Sequence, residues 1–164
     1  MKISVRRKIL VIEEHTGVLT AIMLPLKRAG FCVFSAPTGL DGIRLSKQEE
    51  FDLVIVDVNL PEKDGFEVLA WLKQDFRYSR TPIIFISGHW NEESRQRAHE
   101  LGAADCIDEP FDAAVFVRRI SSHVRTTQTW PDKNVSDLQS YGLIQTNVPL
   151  GSKSKSGIKS ASAR

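Results

Sequence analysis

Cysteine is scarce in this chain, with two among 164 residues. Both, Cys32 and Cys106, fall in short apolar runs, where a thiol reads as a small buried hydrophobe rather than a reactive group. Long hydrophobic stretches are missing too: none approaches the ~20 residues that a membrane span needs. The amino-terminal stretch MKISVRRKILVIEEH has the basic start of a signal peptide, but its apolar part ends after Ile12 at two glutamates, too short for an h-region. A cytoplasmic location is the expectation. Strong charge of one sign is also absent. The formal net charge is +2, and residues 1–125 carry 17 Lys and Arg against 18 Asp and Glu, or −1, which leaves no electrostatic footprint for nucleic acid. The four histidines, His15, His89, His99 and His123, show no tight metal-ligand spacing and read as surface residues.

What the chain does have is alternation. Lys8 to Ile12, Phe31 to Ala36, Leu53 to Asp57, Ile83 to Ile86 and Asp105 to Ile107 are short apolar runs, and the central ones show no polar alternation, as expected of strands covered on both faces. Helical spacing fills the gaps. Val18, Leu19, Ile22, Met23 and Leu26 mark a helix over Thr16 to Ala29, stopped at Gly30, with Pro25 expected to kink or shorten its last turn. Thr38 caps a second helix with Leu40, Ile43 and Leu45 turned inward, and Phe66, Leu69, Ala70 and Leu72 line a third. Asn91 caps a fourth, polar nearly all round, whose inward face is Ala98 and Leu101. Ala113, Phe116, Val117, Ile120 and Val124 line the last. Short buried strands alternating with amphipathic helices mean an α/β fold with a parallel sheet wrapped by right-handed crossovers.

The strands end in polar groups on one edge, where open α/β sheets place their binding crevice. Glu13 and Glu14 follow the first strand, Asp57 closes the third, Ser87 follows the fourth, and Asp108 and Glu109 follow the fifth. Carboxylates brought together in this way suit a hard, oxygen-preferring divalent cation such as Mg²⁺. Such a metal would offset their repulsion and hold an incoming phosphoryl group against an Asp57 oxygen acting as nucleophile, with the Ser87 hydroxyl hydrogen-bonding the transferred group.

KILVIEEH, LVIVDVNLPEKDG, PIIFISGH and GAADCIDEPF, in this order and spacing, resemble the receiver domain of two-component response regulators over residues 7–125. The resemblance implies a doubly wound, five-stranded parallel sheet in the order 2-1-3-4-5 with five helices. It also implies an aspartate phosphorylated by a histidine kinase or phosphotransfer protein, and Mg²⁺ as cofactor. Carried over residue by residue, Asp57 matches the phosphoacceptor, Glu13 and Glu14 the acidic metal pair, Asn59 the residue whose backbone carbonyl completes the metal site, and Ser87 the switch hydroxyl. The implied strand order puts Cys32 and Cys106 on opposite edges, too far apart for a disulfide.

Two positions depart from the family pattern. Glu109 stands where a lysine that pairs with the phosphoryl group is expected, and Cys106 stands at the aromatic switch position of strand five. The sequence therefore supports a stand-alone receiver in phosphorelay signal transduction, a phosphoacceptor rather than an enzyme, capable of self-catalysed phosphoryl transfer at most. The alternative is a pseudo-receiver interaction module that phosphorylation no longer regulates. In either case the output is expected to be a protein contact through the last helix face, which carries Arg118, Arg119, His123 and Arg125. With the receiver assigned to residues 1–125, residues 126–164 remain as a Ser-, Lys- and Gly-rich basic tail with five Lys and Arg against two acids, expected to be disordered. It shows no second set of periodic helices, so no DNA-binding domain is expected.

Overall fold

A computed structural model describes residues 6–126. The tail expected over residues 126–164 lies outside that range, apart from Thr126, which closes the last helix. Ten regular elements follow in alternation: β1 (Lys8–Ile12), α1 (Thr16–Arg28), β2 (Cys32–Ala36), α2 (Gly39–Gln48), β3 (Leu53–Asp57), α3 (Gly65–Gln74), β4 (Ile83–Ser87), α4 (Glu92–Glu100), β5 (Asp105–Asp108) and α5 (Ala113–Thr126), with one 3-10 turn, Phe76–Tyr78, after α3. All strand pairs are parallel, and the sheet runs β2-β1-β3-β4-β5. This is the doubly wound order implied by the resemblance.

The sheet is apolar on both faces because it is covered on both. Every residue of β3 and β4 is buried. Leu10, Ile12, Val54, Val56 and Phe85 face Ile43, Phe66, Leu69, Leu72 and Ala98 of α2, α3 and α4. Ile9, Val11, Leu53, Ile55, Ile84 and Ile86 face Ile22 and Leu26 of α1 and Phe116, Ile120 and Val124 of α5. Alternate residues of each strand thus supply two separate cores, which is the period-2 geometry of a pleated sheet.

Helix ends follow local chemistry. Thr38 Oγ1 accepts from Asp41 N at 3.1 Å, and Asp64 and Asn91 each close a reciprocal capping box, with Glu67 and Ser94 respectively. Asp112 Oδ1 accepts from both Ala114 N and Val115 N at 2.9 Å, and so starts α5. Pro25 does not cut α1 short. The helix continues to Arg28, and Gly30 then turns the chain at φ +96°. Leu40 departs from its expected inward position and is 43% exposed. The inward stripe of α2 is Gly39, Gly42, Ile43 and Ser46, and Leu40 is one residue, about 100° of helix, off that stripe. Tyr78 anchors the far end of the domain: its buried hydroxyl donates toward Ser46 O at 3.0 Å and Glu49 O at 2.7 Å, and burial pushes its pKa up to about 12.

Candidate functional site

The carboxyl ends of β1, β3, β4 and β5 share one edge of the sheet, and a polar side chain leaves each. Asp57 is the last residue of β3 and only 7% exposed. It ends in the middle of the sheet because β3 is the central strand, and α3 packs directly against that strand end. Gly65, the first residue of α3, has no Cβ to collide there: one would sit 2.3 Å from the Asp57 carbonyl oxygen. Gly65 N instead donates to Val58 O at 3.0 Å, closing the Val58–Asp64 loop tightly. Within that loop Asn59 N donates to Asp57 Oδ1 at 3.2 Å.

Glu13 follows β1, is 1% exposed, and is fixed from two sides. Its backbone N–H donates to Ala36 O at 3.0 Å, and its Oε1 accepts from His15 N at 2.7 Å. His15 Nδ1 lies 3.2 Å from the same oxygen, and His15 Nε2 is 3.9 Å from Glu14 Oε1. Glu14 itself is exposed. Ligand atoms of Glu13, His15 and Asp57 all lie within 4.8 Å of one another. His15 is exposed, as the reading of a surface residue expects, and its ring also borders the two buried acids; the sequence signal for that is its position two residues after Glu13.

Ser87 ends β4, is 1% exposed, and holds the next loop: its Oγ accepts from His89 N at 3.1 Å and its carbonyl accepts from Glu109 N at 2.9 Å. Glu109, joined to Pro110 by a cis peptide, is half-buried at the same edge. The electrostatics follow from burial of like charges. Glu13 is raised above the usual carboxyl range first by burial and then by Asp57, against the lowering effect of its hydrogen bonds from His15. Burial also raises Asp57, partly offset by the Asn59 N–H and by His15. Glu109 is raised by burial, then by the charges of Glu13 and Asp57. The glutamate at this position therefore feels both acids, where a cation would relieve them. A cleft of about 450 Å³ opens beside it, lined by Gly17, Val18, Ala21, Gly88, Glu109 and Phe111.

The aromatic missing from β5 has a counterpart nearby. Cys106 is half-buried, and burial pushes its thiol up. Trp90, in the loop after β4, packs edge-on against Phe85 with ring centroids 6.3 Å apart and donates its indole N–H to Ile107 O at 3.2 Å. Arg95 stacks on the indole at 5.1 Å and pairs with Asp108. The positive face expected on α5 is partly spent within the fold. Arg119 reaches Asp105 at 2.5 Å, and His123 Nε2 is 3.1 Å from the same carboxylate. Burial alone would raise Asp105, but its bonds to Arg119, His123 and Cys106 N outweigh it and hold the carboxyl low.

The profile of the response regulator receiver domain matches residues 9–121. Curated relatives include the cell cycle response regulators CtrA of Brucella ovis and Brucella canis, each 33% identical over 121 residues, which are 74% of this chain and 51% of theirs. The chain thus spans about half the length of the curated relatives it matches. Among solved structures, the Vibrio cholerae chemotaxis protein CheY4 shares the fold with a TM-score of 0.70 at 24% identity, over 73% of this chain and 99% of that one. The receiver domain of the sensor histidine kinase PA1611 from Pseudomonas aeruginosa, solved with a magnesium ion coordinated in its active-site cleft, does so with a TM-score of 0.68 at 22% identity, over 74% and 99%. A beryllofluoride-activated DrrB receiver domain matches at 26% identity with a TM-score of 0.66, over 74% and 99%. The four strand ends, their order and the matched span agree: this chain belongs to the response regulator receiver domain family, the signalling modules of two-component phosphorelays.

Proposed function

We propose that the chain works as a phosphoacceptor: an Asp57 carboxylate oxygen attacks the phosphorus of a phosphohistidine on a kinase or phosphotransfer protein, the P–N bond breaks, and the phosphoryl group remains on Asp57. The observation that supports this most is a single one. Asp57 is nine-tenths buried at the mouth-side end of the central strand, with a second buried acid, Glu13, and a buried hydroxyl, Ser87, at the ends of the neighbouring strands. The donor set fits a divalent cation, since two buried carboxylates and a ring nitrogen come within 4.8 Å of one another. Glu13, Asp57 and the Asn59 backbone carbonyl would hold it, with Glu14 adding negative charge at the rim. A cation bound there supplies charge neutralisation for the carboxylates and the incoming phosphoryl oxygens. Ser87 then donates its hydroxyl hydrogen to a phosphoryl oxygen while its Oγ still accepts from His89 N, which ties the loop that carries Trp90 to the phosphorylated site. Output follows as a protein contact, in which exposed Arg118 of α5 is available to an acidic partner.

One observation favours the second reading, an interaction module independent of phosphorylation. Glu109 adds a third acid whose carboxyl is raised by burial and then by Glu13 and Asp57, so a phosphoryl dianion meets repulsion where the family offers a lysine. Beryllofluoride, a phosphoryl mimic, separates the two readings. With Mg²⁺ it should raise the melting temperature of the wild type and leave Asp57→Asn unchanged; no shift in either protein favours the second reading.

A further inference from the structure

The family resemblance implies Mg²⁺, an ion served by oxygen donors and retained water, whereas this chain puts an imidazole among the donors. We infer that the cation site of this receiver is built for a late first-row divalent metal, of the class Fe²⁺ to Zn²⁺, with a ring nitrogen of His15 as a direct ligand beside the carboxylates of Glu13 and Asp57. The inference rests on the cation site proposed above and specifies which metal class that site favours.

Three features of the geometry support it. The ligand atoms of Glu13, His15 and Asp57 lie within 4.8 Å of one another, close enough for one ion to touch all three. The two carboxylates are 1% and 7% exposed, so they are not solvated loop acids that happen to be near a histidine. The imidazole itself is exposed and lies against both flanking glutamates. Nδ1 lies 3.2 Å from Glu13 Oε1, while Nε2 sits 3.9 Å from Glu14 Oε1. At 3.9 Å the Glu14 carboxylate is beyond hydrogen-bond distance of Nε2, so it acts on the ring through its charge and does not fix the tautomer.

The physical reason for selectivity is competition for one oxygen. Glu13 Oε1 is the acceptor for both His15 N and the side of the ring bearing Nδ1. For an ion that takes only oxygen, the ring is a competitor at Oε1 and contributes nothing in return. For an ion with affinity for imidazole, the same ring becomes a ligand. Almost any mixed N/O site favours later metals, so a tight transition-metal complex would not be diagnostic on its own. Dependence on His15 is.

The test is calorimetric titration of the full-length chain with Co²⁺ and, separately, with Mg²⁺, in wild type, His15→Phe and Glu14→Gln. His15→Phe should weaken Co²⁺ by at least about tenfold, the lower end of what even outer-sphere changes cost, and should leave Mg²⁺ unchanged or slightly tighter. Preserved Mg²⁺ binding also shows that the variant is folded at the site. Glu14→Gln should weaken Co²⁺ by less than His15→Phe does. The inference is overturned if Co²⁺ affinity does not depend on His15, or if both ions weaken together, because the ring would then be a structural prop. If either happens while Mg²⁺ still binds the wild type, the phosphoacceptor reading stands without it. If the wild type binds neither ion, both fail.

Discussion

Replacing Gly65 by alanine tests whether the site depends on α3 starting hard against the end of β3. An added Cβ would lie 2.3 Å from the Asp57 carbonyl oxygen, 3.0 Å from Phe85 Cε1 and 3.1 Å from Val58 Cα. Ordinary contact begins at 3.4 Å, so helix and strand end must separate by 1.1 Å, the difference of 3.4 and 2.3. Two of the three obstructing atoms are backbone and cannot rotate away. Overpacking of this kind costs about 1–3 kcal/mol, and stretching the 3.0 Å bond from Gly65 N to Val58 O costs about 1 kcal/mol more. Against this, alanine gains at most about 1 kcal/mol from helix propensity and a less free unfolded chain. The net loss is about 1–3 kcal/mol, or about 4–12 °C in melting temperature at roughly 4 °C per kcal/mol for a domain of this size. Thermal unfolding by circular dichroism measures it, with Gly17→Ala as the control, since nothing lies within 4 Å of a Cβ there. The control should hold or gain stability. If Gly65→Ala melts within about 1 °C of wild type, the claim that this contact positions Asp57 is refuted.

Three carboxyls at the site, Glu13, Asp57 and Glu109, are raised on folding. The folded chain therefore keeps protons that the unfolded chain has released, and stability falls as pH rises above the ordinary carboxyl values of 3.8 and 4.5 toward the raised ones. Denaturant titrations without divalent ion at stepped pH should show that fall, and Glu109→Gln should flatten it; parallel profiles would contradict the coupling of Glu109 to the two acids. Asp105 is lowered and works in the opposite sense: its contribution is present above 3.8 and lost only as pH drops through its lower folded value. Tyr78→Phe removes the buried hydroxyl that donates to the Ser46 and Glu49 carbonyls and should cost about 1–3 kcal/mol, read by thermal unfolding; an unchanged melting temperature would mean that water replaces the hydroxyl.

How much the sequence disclosed depended on whether a signal was local. Leu53 to Asp57 and Ile83 to Ser87 were legible as strands because burial on both faces leaves an uninterrupted apolar run, and Asn91 was legible as a cap because its chemistry lies within one turn. Leu40 was misassigned because α2 packs through glycines: Gly39 and Gly42 occupy the inward stripe, where a hydrophobicity pattern expects large residues. Asp57, Glu13 and Ser87 were legible as strand-end polar groups. His15 was not, since a single histidine carries no spacing signal and enters the site only through the turn that gives Glu13 two contacts with it. The ionic use of Arg119 and His123 was hidden for a similar reason. Asp105 meets them only once β5 and α5 pack together, 14 and 18 residues apart in the chain.

The central claim is that Asp57 accepts a phosphoryl group although Glu109 stands where a lysine is expected. Intact-mass spectrometry after incubation with a small-molecule phosphodonor and divalent cation tests it directly, on wild type, Asp57→Asn and Glu109→Lys. The expected result is one phosphoryl adduct on the wild type, none on Asp57→Asn, and faster formation on Glu109→Lys, because at ~4 Å and an effective dielectric of 20 each pair of unit charges interacts by about 4 kcal/mol before screening, and the substitution turns that repulsion into attraction. A wild type that stays unmodified while Glu109→Lys acquires the adduct would contradict the claim and leave the chain a receiver fold that no longer takes phosphate.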